Sequence, residues 1–267
     1  KPGRPVSLPP ARSPPAASAP ASVASAPPPS PPRTNVTTNM VRPASSGGSS
    51  GSTRSRHQSE LSKIHKQYKN TSAANLNKKF VKDSSLFKKY HEVAKANDAE
   101  WEPSELPVAK VAQRLMQEAE VCKKTGKRRR VADLGCGMAE LAAAMAGVDE
   151  IQVDGYDHVA AVDGVTACNI AKVDKHEGWY DVVVLSRVLG WGRDGDAESY
   201  LREAHRLLDR GGELIIHEGN RKWRDAERQE CRLIGMLKEA GFMVTEQIGV
   251  ATGDEAPIYM EVRAMRM

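Results

Sequence analysis

Aromatic and acidic side chains are missing altogether from the first 56 residues, which hold no Phe, Tyr, Trp, Asp or Glu. The same stretch carries thirteen of the chain's 16 prolines. It cannot bury enough apolar surface to offset the entropy of ordering it. Residues 1–56 are therefore expected to be a disordered, basic Pro/Ala/Ser-rich tail that ends in a Gly/Ser linker. Long apolar runs are absent too. None approaches the roughly 18 residues that span a membrane, so no membrane partner is expected. No charged start followed by an apolar core opens the chain, so no secretory signal is expected. The chain begins at Lys1 rather than Met, as a piece of a longer chain would. Cysteine is scarce: Cys122, Cys136, Cys168 and Cys231 form no C-x-x-C pair. That pattern argues against a zinc site or a disulfide framework and fits a reducing compartment; no metal is expected.

What is present is charge, unevenly spread. Residues 1–56 carry seven Lys/Arg and no acid; residues 57–130 carry 17 Lys/Arg and nine Asp/Glu; residues 131–267 carry 15 and 25. The net charge of +5 hides a basic front half on an acidic body. Such an arrangement points to a polyanionic partner, nucleic acid first, with a solubilising tail as the alternative.

From His57 the apolar spacing turns helical. Leu61, Ile64 and Tyr68 share one face. Asp83 caps a segment that groups Phe87, Tyr90 and His91. Leu106–Val121 is a third amphipathic helix, with Val108, Val111, Ala112, Leu115 and Met116 facing inward. A basic turn, Lys123–Arg130, follows. Residues 57–130 thus read as a basic helical extension.

After Arg130 strands alternate with helices. Strands are expected at Val131–Leu134, Ile151–Tyr156, Val165–Cys168, Asp181–Leu185, Glu213–His217, Phe242–Ile248 and Ile258–Arg263. Helices are expected at Met138–Ala146, at Ala197–Leu208 ended by Gly211-Gly212, and at Asp225–Ala240 ended by Gly241. Asp181–Leu185 is apolar on both faces and suits the centre of a parallel sheet. The alternation means a doubly wound, mostly parallel α/β sheet over residues 131–267.

Asp133-Leu-Gly135-Cys-Gly137 lies between the first strand and its helix, where glycines let a ligand approach the backbone. The dinucleotide fingerprint needs a third small residue, and here that position is Glu140. Its carboxylate would repel a pyrophosphate but not a cationic cofactor, which favours S-adenosylmethionine over a nicotinamide dinucleotide. Asp157 ends the second strand, placed to accept both hydroxyls of a ribose; Asp154 is the competing candidate. Cys168-Asn169-Ile170 ends the third strand, where a polar side chain can read an adenine edge. Ser186 ends the central strand at the ligand crevice.

With these residues in place, the chain resembles the ribosomal RNA-processing protein 8 family, nucleolar methyltransferases of the Rossmann-like class. The similarity runs from about Lys78 to Arg263. It is carried by Phe80, Phe87, Tyr90-His91, Trp101 and Pro107, by Val131–Gly137, by Tyr156-Asp157, by Val165–Val173, by Glu203–Gly212 and by Lys222-Trp223. The resemblance implies a class I methyltransferase fold, S-adenosylmethionine as cofactor, and cofactor contacts at His91, Gly135, Asp157, Asn169, Ile170 and Ser186. It implies methylation of N1 of an adenine in large-subunit ribosomal RNA. It also implies nuclear, nucleolar placement among pre-ribosomal proteins. Two departures matter: Asn169 stands where the family has Asp, and the loop Val188–Gly192 differs, with extra residues before Tyr200-Leu201. They leave open a cofactor-binding adaptor in a nucleolar or chromatin assembly, or a methyltransferase with another substrate. N1 of adenine has a free lone pair, so alignment rather than a catalytic base is expected. The target base must be unpaired or flipped, and Trp191 and Trp223 are the candidates to stack on it. The basic turn and the N-terminal arm are the candidates to hold phosphates.

Overall fold

The structure, a computed structural model, describes residues 51–68, 70–191, 193–225, 230–250 and 259–267. The tail at 1–50 and Ile258 lie outside the described residues. Four helices lead the chain: α1 (Gly51–Tyr68), α2 (Ala73–Lys82), α3 (Ser84–Asp98) and α4 (Pro107–Thr125). Next come β1 (Arg129–Leu134), α5 (Glu140–Ala144), β2 (Ile151–Asp157), β3 (Val165–Ala167) and β4 (Tyr180–Ser186). The chain continues through α6 (Asp194–Leu207), β5 (Leu208–Gly219), α7 (Asn220–Trp223), β6 (Arg224–Asp225) and β7 (Glu230–Cys231). It ends with α8 (Arg232–Glu239), β8 (Phe242–Ile248) and β9 (Tyr259–Arg266).

Seven strands form one sheet in the order β3-β2-β1-β4-β5-β9-β8, with β6 and β7 a separate pair. The pairs from β3 to β5 are parallel; β9 runs antiparallel to both β5 and β8. The expected doubly wound, Rossmann-like sheet is what the chain forms. β4 sits at its centre, as its two-sided apolar run requires. Val183 and Leu185 face the side covered by α6 and α8, while Val182 and Val184 face α4 and α5. All four are at most 1 % exposed, and each such burial is worth about 1.5–3 kcal/mol. Chain order reverses between β1 and β4, and ligands of open α/β sheets bind at the carboxyl ends of strands at such a point.

The extension belongs to the same compact unit as the sheet. Tyr68, Leu76, Phe80 and Phe87 form its own small core, against which Ile64, Val159, Ala161 and Trp191 pack. Asp83 caps α3 by accepting from Ser85 N at 3.0 Å. Among the described residues, no helix is long and apolar enough to cross a membrane.

Several expectations are corrected. Helix α1 already begins at Gly51, inside the segment read as a linker, because a helix anchored by packed turns extends at one hydrogen bond per residue. Helix α2 was not visible in the sequence at all. Met116 is 47 % exposed: the buried stripe of α4 runs Val111, Ala112, Leu115, Ala119, Cys122, and Met116 falls beside it. Gly211-Gly212 does not end a helix. Helix α6 stops at Leu207 and the glycines lie inside β5, where the register with β4 shifts between Tyr180 and Val182. The helix expected over Asp225–Ala240 is shorter, since β6 and β7 occupy its start; residues 226–229 lie outside the described residues. Lys123–Arg130 is not one turn. Lys123 and Lys124 close α4, and Arg129 and Arg130 open β1, where Arg129 lies 3.4 Å from Glu118 and Arg130 3.6 Å from Asp181.

Gly211 holds φ at +74° with nothing within 4 Å of a would-be Cβ. Gly211→Ala therefore meets only backbone strain, and urea unfolding should show a loss of about 1–2 kcal/mol. No loss would mean that the bulge re-forms without a left-handed residue.

Candidate functional site: a cavity at the β1–β4 crevice

The carboxyl ends of β1 and β4 open into a cavity of about 650 Å³, whose wall is completed by α2 and α3. That volume falls within the range of small-molecule sites. One end is built on the glycine turn. Gly135 and Gly137 hold φ at +82° and +56°. A Cβ on Gly135 would lie 2.3 Å from Val188 Cγ2, and one on Gly137 would lie 2.4 Å from His91 Cε1. Only glycine lets the loop after β4 and the ring of His91 close on this turn. Helix α5 is a single short turn, so the backbone of the turn itself, rather than a long helix dipole, shapes this end.

Asp157 clamps the turn. Its Oδ2 accepts from Gly137 N at 2.8 Å and its Oδ1 from His158 N at 2.6 Å. Burial pushes its carboxyl up to about 6, against the pull of these two N–H groups. Each carboxylate oxygen has a second lone pair, so acceptor capacity remains toward the cavity. Asp133 also lines the cavity and is buried. Burial, then the charges of Asp157 and Glu140, push it up to about 7. Three carboxylates, Asp133, Glu140 and Asp157, therefore converge on one end. That donor set fits a nucleoside cofactor bearing positive charge and disfavours a pyrophosphate.

This convergence carries a pH signature. A cation binds the ionised carboxylates, so at low pH protons must leave before it binds. Cofactor affinity should rise, by tenfold or more, between about pH 5 and pH 8 and level off above. Calorimetry near neutral pH in buffers of different ionisation enthalpy should show proton release. The ligand-free protein runs the other way. Its raised carboxyls keep their protons after the unfolded chain has lost them, so its stability falls as pH rises from about 4 to about 7. A flat affinity profile would mean that neither carboxylate faces the cation.

His91 lines the cavity beside Gly137, with Phe87 at 4.4 Å and Tyr90 at 4.9 Å between ring centroids. Burial, then Arg187, lowers its pKa to about 4, so it is neutral at physiological pH. Ile170 and Ser186 line the cavity too. Asn169 does not. It is exposed, and its Oδ1 accepts from Ala171 N at 3.0 Å in a local turn contact. Asp154 is also committed elsewhere: it accepts from the Tyr180 hydroxyl at 2.7 Å, outside the cavity.

Another wall of the cavity is aromatic, and it reaches the glycine turn through His91. Phe80, Phe87, Tyr90 and Trp191 line it, rimmed by Lys88, Glu92 and Lys95. Trp191 meets Tyr90 at 4.6 Å and His65 at 4.7 Å, both edge-to-face. It is in the wall, but already stacked on by the extension. Trp223 is not in the wall. It is fully buried in the core on the α6–α8 side, so it cannot stack on a target base.

Three side chains missed in the sequence hold the elements around the cavity together. Arg187, at φ +59°, donates from Nη1 to both oxygens of Asp98, at 2.9 and 2.7 Å, which ties α3 to the end of β4. Burial opposes its charge, yet Asp98 and the hydroxyls of Tyr90 and Tyr259 outweigh burial and hold it protonated. Glu218 accepts from Leu189 N at 2.6 Å and pins the loop after β4. Burial pushes its carboxyl up to about 7. The strand-end position of Arg187 was the one available signal; the partners of Asp98 and Glu218 are distant in sequence.

A family model described as a hypothetical methyltransferase matches residues 58–249. A ribosomal RNA-processing protein 8 from Dictyostelium discoideum is 33 % identical over 141 residues, 53 % of this chain and 33 % of that protein. A 25S rRNA (adenine(645)-N(1))-methyltransferase from Schizosaccharomyces pombe is 35 % identical over 98 residues, 36 % of this chain and 29 % of that protein. The chain thus spans about a third of the length of these relatives. A solved structure of Burkholderia thailandensis 1,6-didemethyltoxoflavin-N1-methyltransferase is similar at a TM-score of 0.45 and 17 % identity, over 69 % of this chain and 89 % of that one.

Proposed function

This chain belongs to the methyltransferase family whose model it matches, with S-adenosylmethionine as cofactor, and from that premise we propose that it methylates ribosomal RNA, at N1 of an adenine in the large-subunit RNA. The observation that carries the proposal is one cavity that joins the carboxylates of the glycine turn to an aromatic wall with Lys88 and Lys95 at its rim. The relatives named for ribosomal RNA processing and adenine-N1 methylation support the choice of substrate.

When bound, S-adenosylmethionine supplies an electrophilic methyl carbon on a sulfonium. The protein's residues hold, align and shield. Asp157 accepts from the ribose hydroxyls while fixing the glycine turn. Asp133 offers negative charge to the cationic part of the cofactor. Gly135, Gly137, Ile170 and Ser186 shape the nucleoside end. His91 stays neutral beside Gly137 and adds no repulsive charge. The target nitrogen carries a free lone pair, so no side chain need remove a proton. Tyr90, Phe87 and Trp191 exclude water and set the angle of approach. The loop after β4 departs from the family pattern, and Glu218 accepts from the backbone N–H of Leu189 and of Gly190 there. An RNA substrate of this kind would place the protein in the nucleolus with pre-ribosomal proteins.

The test is transfer of a labelled methyl group to unmodified large-subunit RNA, followed by digestion to nucleosides. Label on N1-methyladenosine is expected, and should be lost with Asp157→Ala. Label on another nucleoside would overturn the adenine assignment. Cofactor binding without transfer to RNA would favour the adaptor.

A further inference from the structure

The basic segment expected to hold RNA lies at the wrong end of the sheet. Arg129 and Arg130 open β1, whereas the cavity is reached at the other end of that strand, from Asp133 onward. The strand from Arg129 to Asp133 separates the two by about 13 Å. Part of the charge at that far end is also internally matched. Lys123 lies 2.8 Å from Glu120, Arg129 faces Glu118 and Asp181, and Arg130 faces Asp181.

The cavity mouth has its own cations. Lys88 and Lys95 stand on the flank of α3 that lines the opening, two turns apart. Between Ala73 and Asp98 there are six lysines against Asp83, Glu92 and Asp98, and Asp98 is taken by Arg187. All six lysines are exposed. Lys79 and Lys82 line a second, open cleft of about 510 Å³ between the ends of α1, α2 and α3. There Lys79 stands 5.3 Å from the centroid of the Tyr68 ring.

We infer that the α2–α3 corner, carrying Lys79, Lys82, Lys88 and Lys95, is the surface that holds the phosphates of the RNA substrate beside the cavity mouth. The inference rests on the RNA reading above. A base that enters the cavity past its aromatic wall drags its flanking phosphates over the rim, where Lys88 and Lys95 of α3 stand on either side of Glu92. The cleft with Lys79, Lys82 and Asp83 lies where α2 meets α3. Lysines act here as mobile point charges without base preference, so this surface supplies affinity while the cavity supplies selection.

The experiment measures binding of a fluorescein-labelled single-stranded RNA of mixed sequence to the full chain across a salt series. One variant replaces Lys79, Lys82, Lys88 and Lys95 with Gln; a second replaces Lys123, Lys124, Lys127 and Arg128 with Gln. Thermal melting checks that each is folded. The corner variant should bind roughly ten- to a hundredfold more weakly at about 0.1 M salt, and its log–log salt slope should fall by about 0.7 for each phosphate no longer neutralised. The far-end variant should keep the wild-type slope. Wild-type slope in the corner variant, or a loss confined to the far-end variant, overturns the surface while leaving the RNA reading intact. No RNA binding by the wild type overturns the RNA reading itself. Binding of polyglutamate lost in the corner variant, with RNA binding unchanged, would assign the face to an acidic protein and overturn the proposal.

Discussion

Asp157→Ala should weaken S-adenosylmethionine binding about a hundred- to a thousandfold in isothermal titration, with the protein still folded. Hydrogen bonds to a charged acceptor are worth about 1.5–3 kcal/mol each, and a ribose diol offers two. The substitution also frees Gly137 N and His158 N, which Asp157 now holds at 2.8 and 2.6 Å. The glycine turn then loses its anchor, and the cavity its shape at that end. Asp157→Asn separates the two effects. An amide oxygen can still accept from one backbone N–H, but the negative charge is gone, so an intermediate loss is expected. Stability should move little, because burial already opposes the charge of this carboxyl. Affinity within twofold of wild type in Asp157→Ala would remove Asp157 from the cofactor site.

Asp98→Ala should lower stability by about 2–3 kcal/mol in chemical denaturation and lower the melting temperature by about 5–10 °C. The alanine leaves the Arg187 guanidinium without its carboxylate partner. Breaking a fully buried pair typically costs about 3–5 kcal/mol. The Arg187 side chain keeps 29 % of its exposure, so water recovers part of that. Double replacement, Asp98→Ala with Arg187→Ala, should be less damaging than the sum of the single changes, since the stranded charge disappears. Helix α3 also brings His91 and Tyr90 to the cavity. Loosening it should weaken cofactor binding even though Asp98 is not assigned to the cofactor. Additive single and double effects would reduce the pair to an ordinary surface contact.

Where local pattern decides structure, the sequence was enough. β4 was legible because an apolar run with alternate residues buried on both faces has no other home than a sheet centre. The glycine turn was legible because its spacing follows from how closely backbone must approach a ligand. Helix α2 was not: Asn75, Asn77 and Val81 are weak helix formers. It is held by burial of Leu76 and Phe80 and by a bond from Ala73 N to Asp196 Oδ2, more than a hundred residues away. Trp223 was a candidate to stack on the target base, yet its burial is set by strands and helices remote in the chain. Asn169 sits at the motif position expected of an adenine reader, but a short polar side chain can satisfy its own backbone instead. Arg187, Asp98 and Glu218 make a site only through contacts that no spacing records.

The placement of β9 bears on synthesis. β9 follows β8 in the chain, yet lies between β8 and β5 in the sheet, paired with β5 from Glu213 to Gly219. A ribosome that has released residues up to 250 has delivered six of the sheet's seven strands, and β5 still presents an open row of N–H and C=O groups. That edge is next to the most apolar strands of the protein. It stays open until Arg266 has emerged and the β8–β9 hairpin can dock. The nascent chain therefore passes through a stage with a sticky sheet edge, when pairing with a neighbouring chain competes with completion. Chaperone dependence during translation, and low recovery after dilution from denaturant at high concentration, are the practical marks of that late-arriving strand.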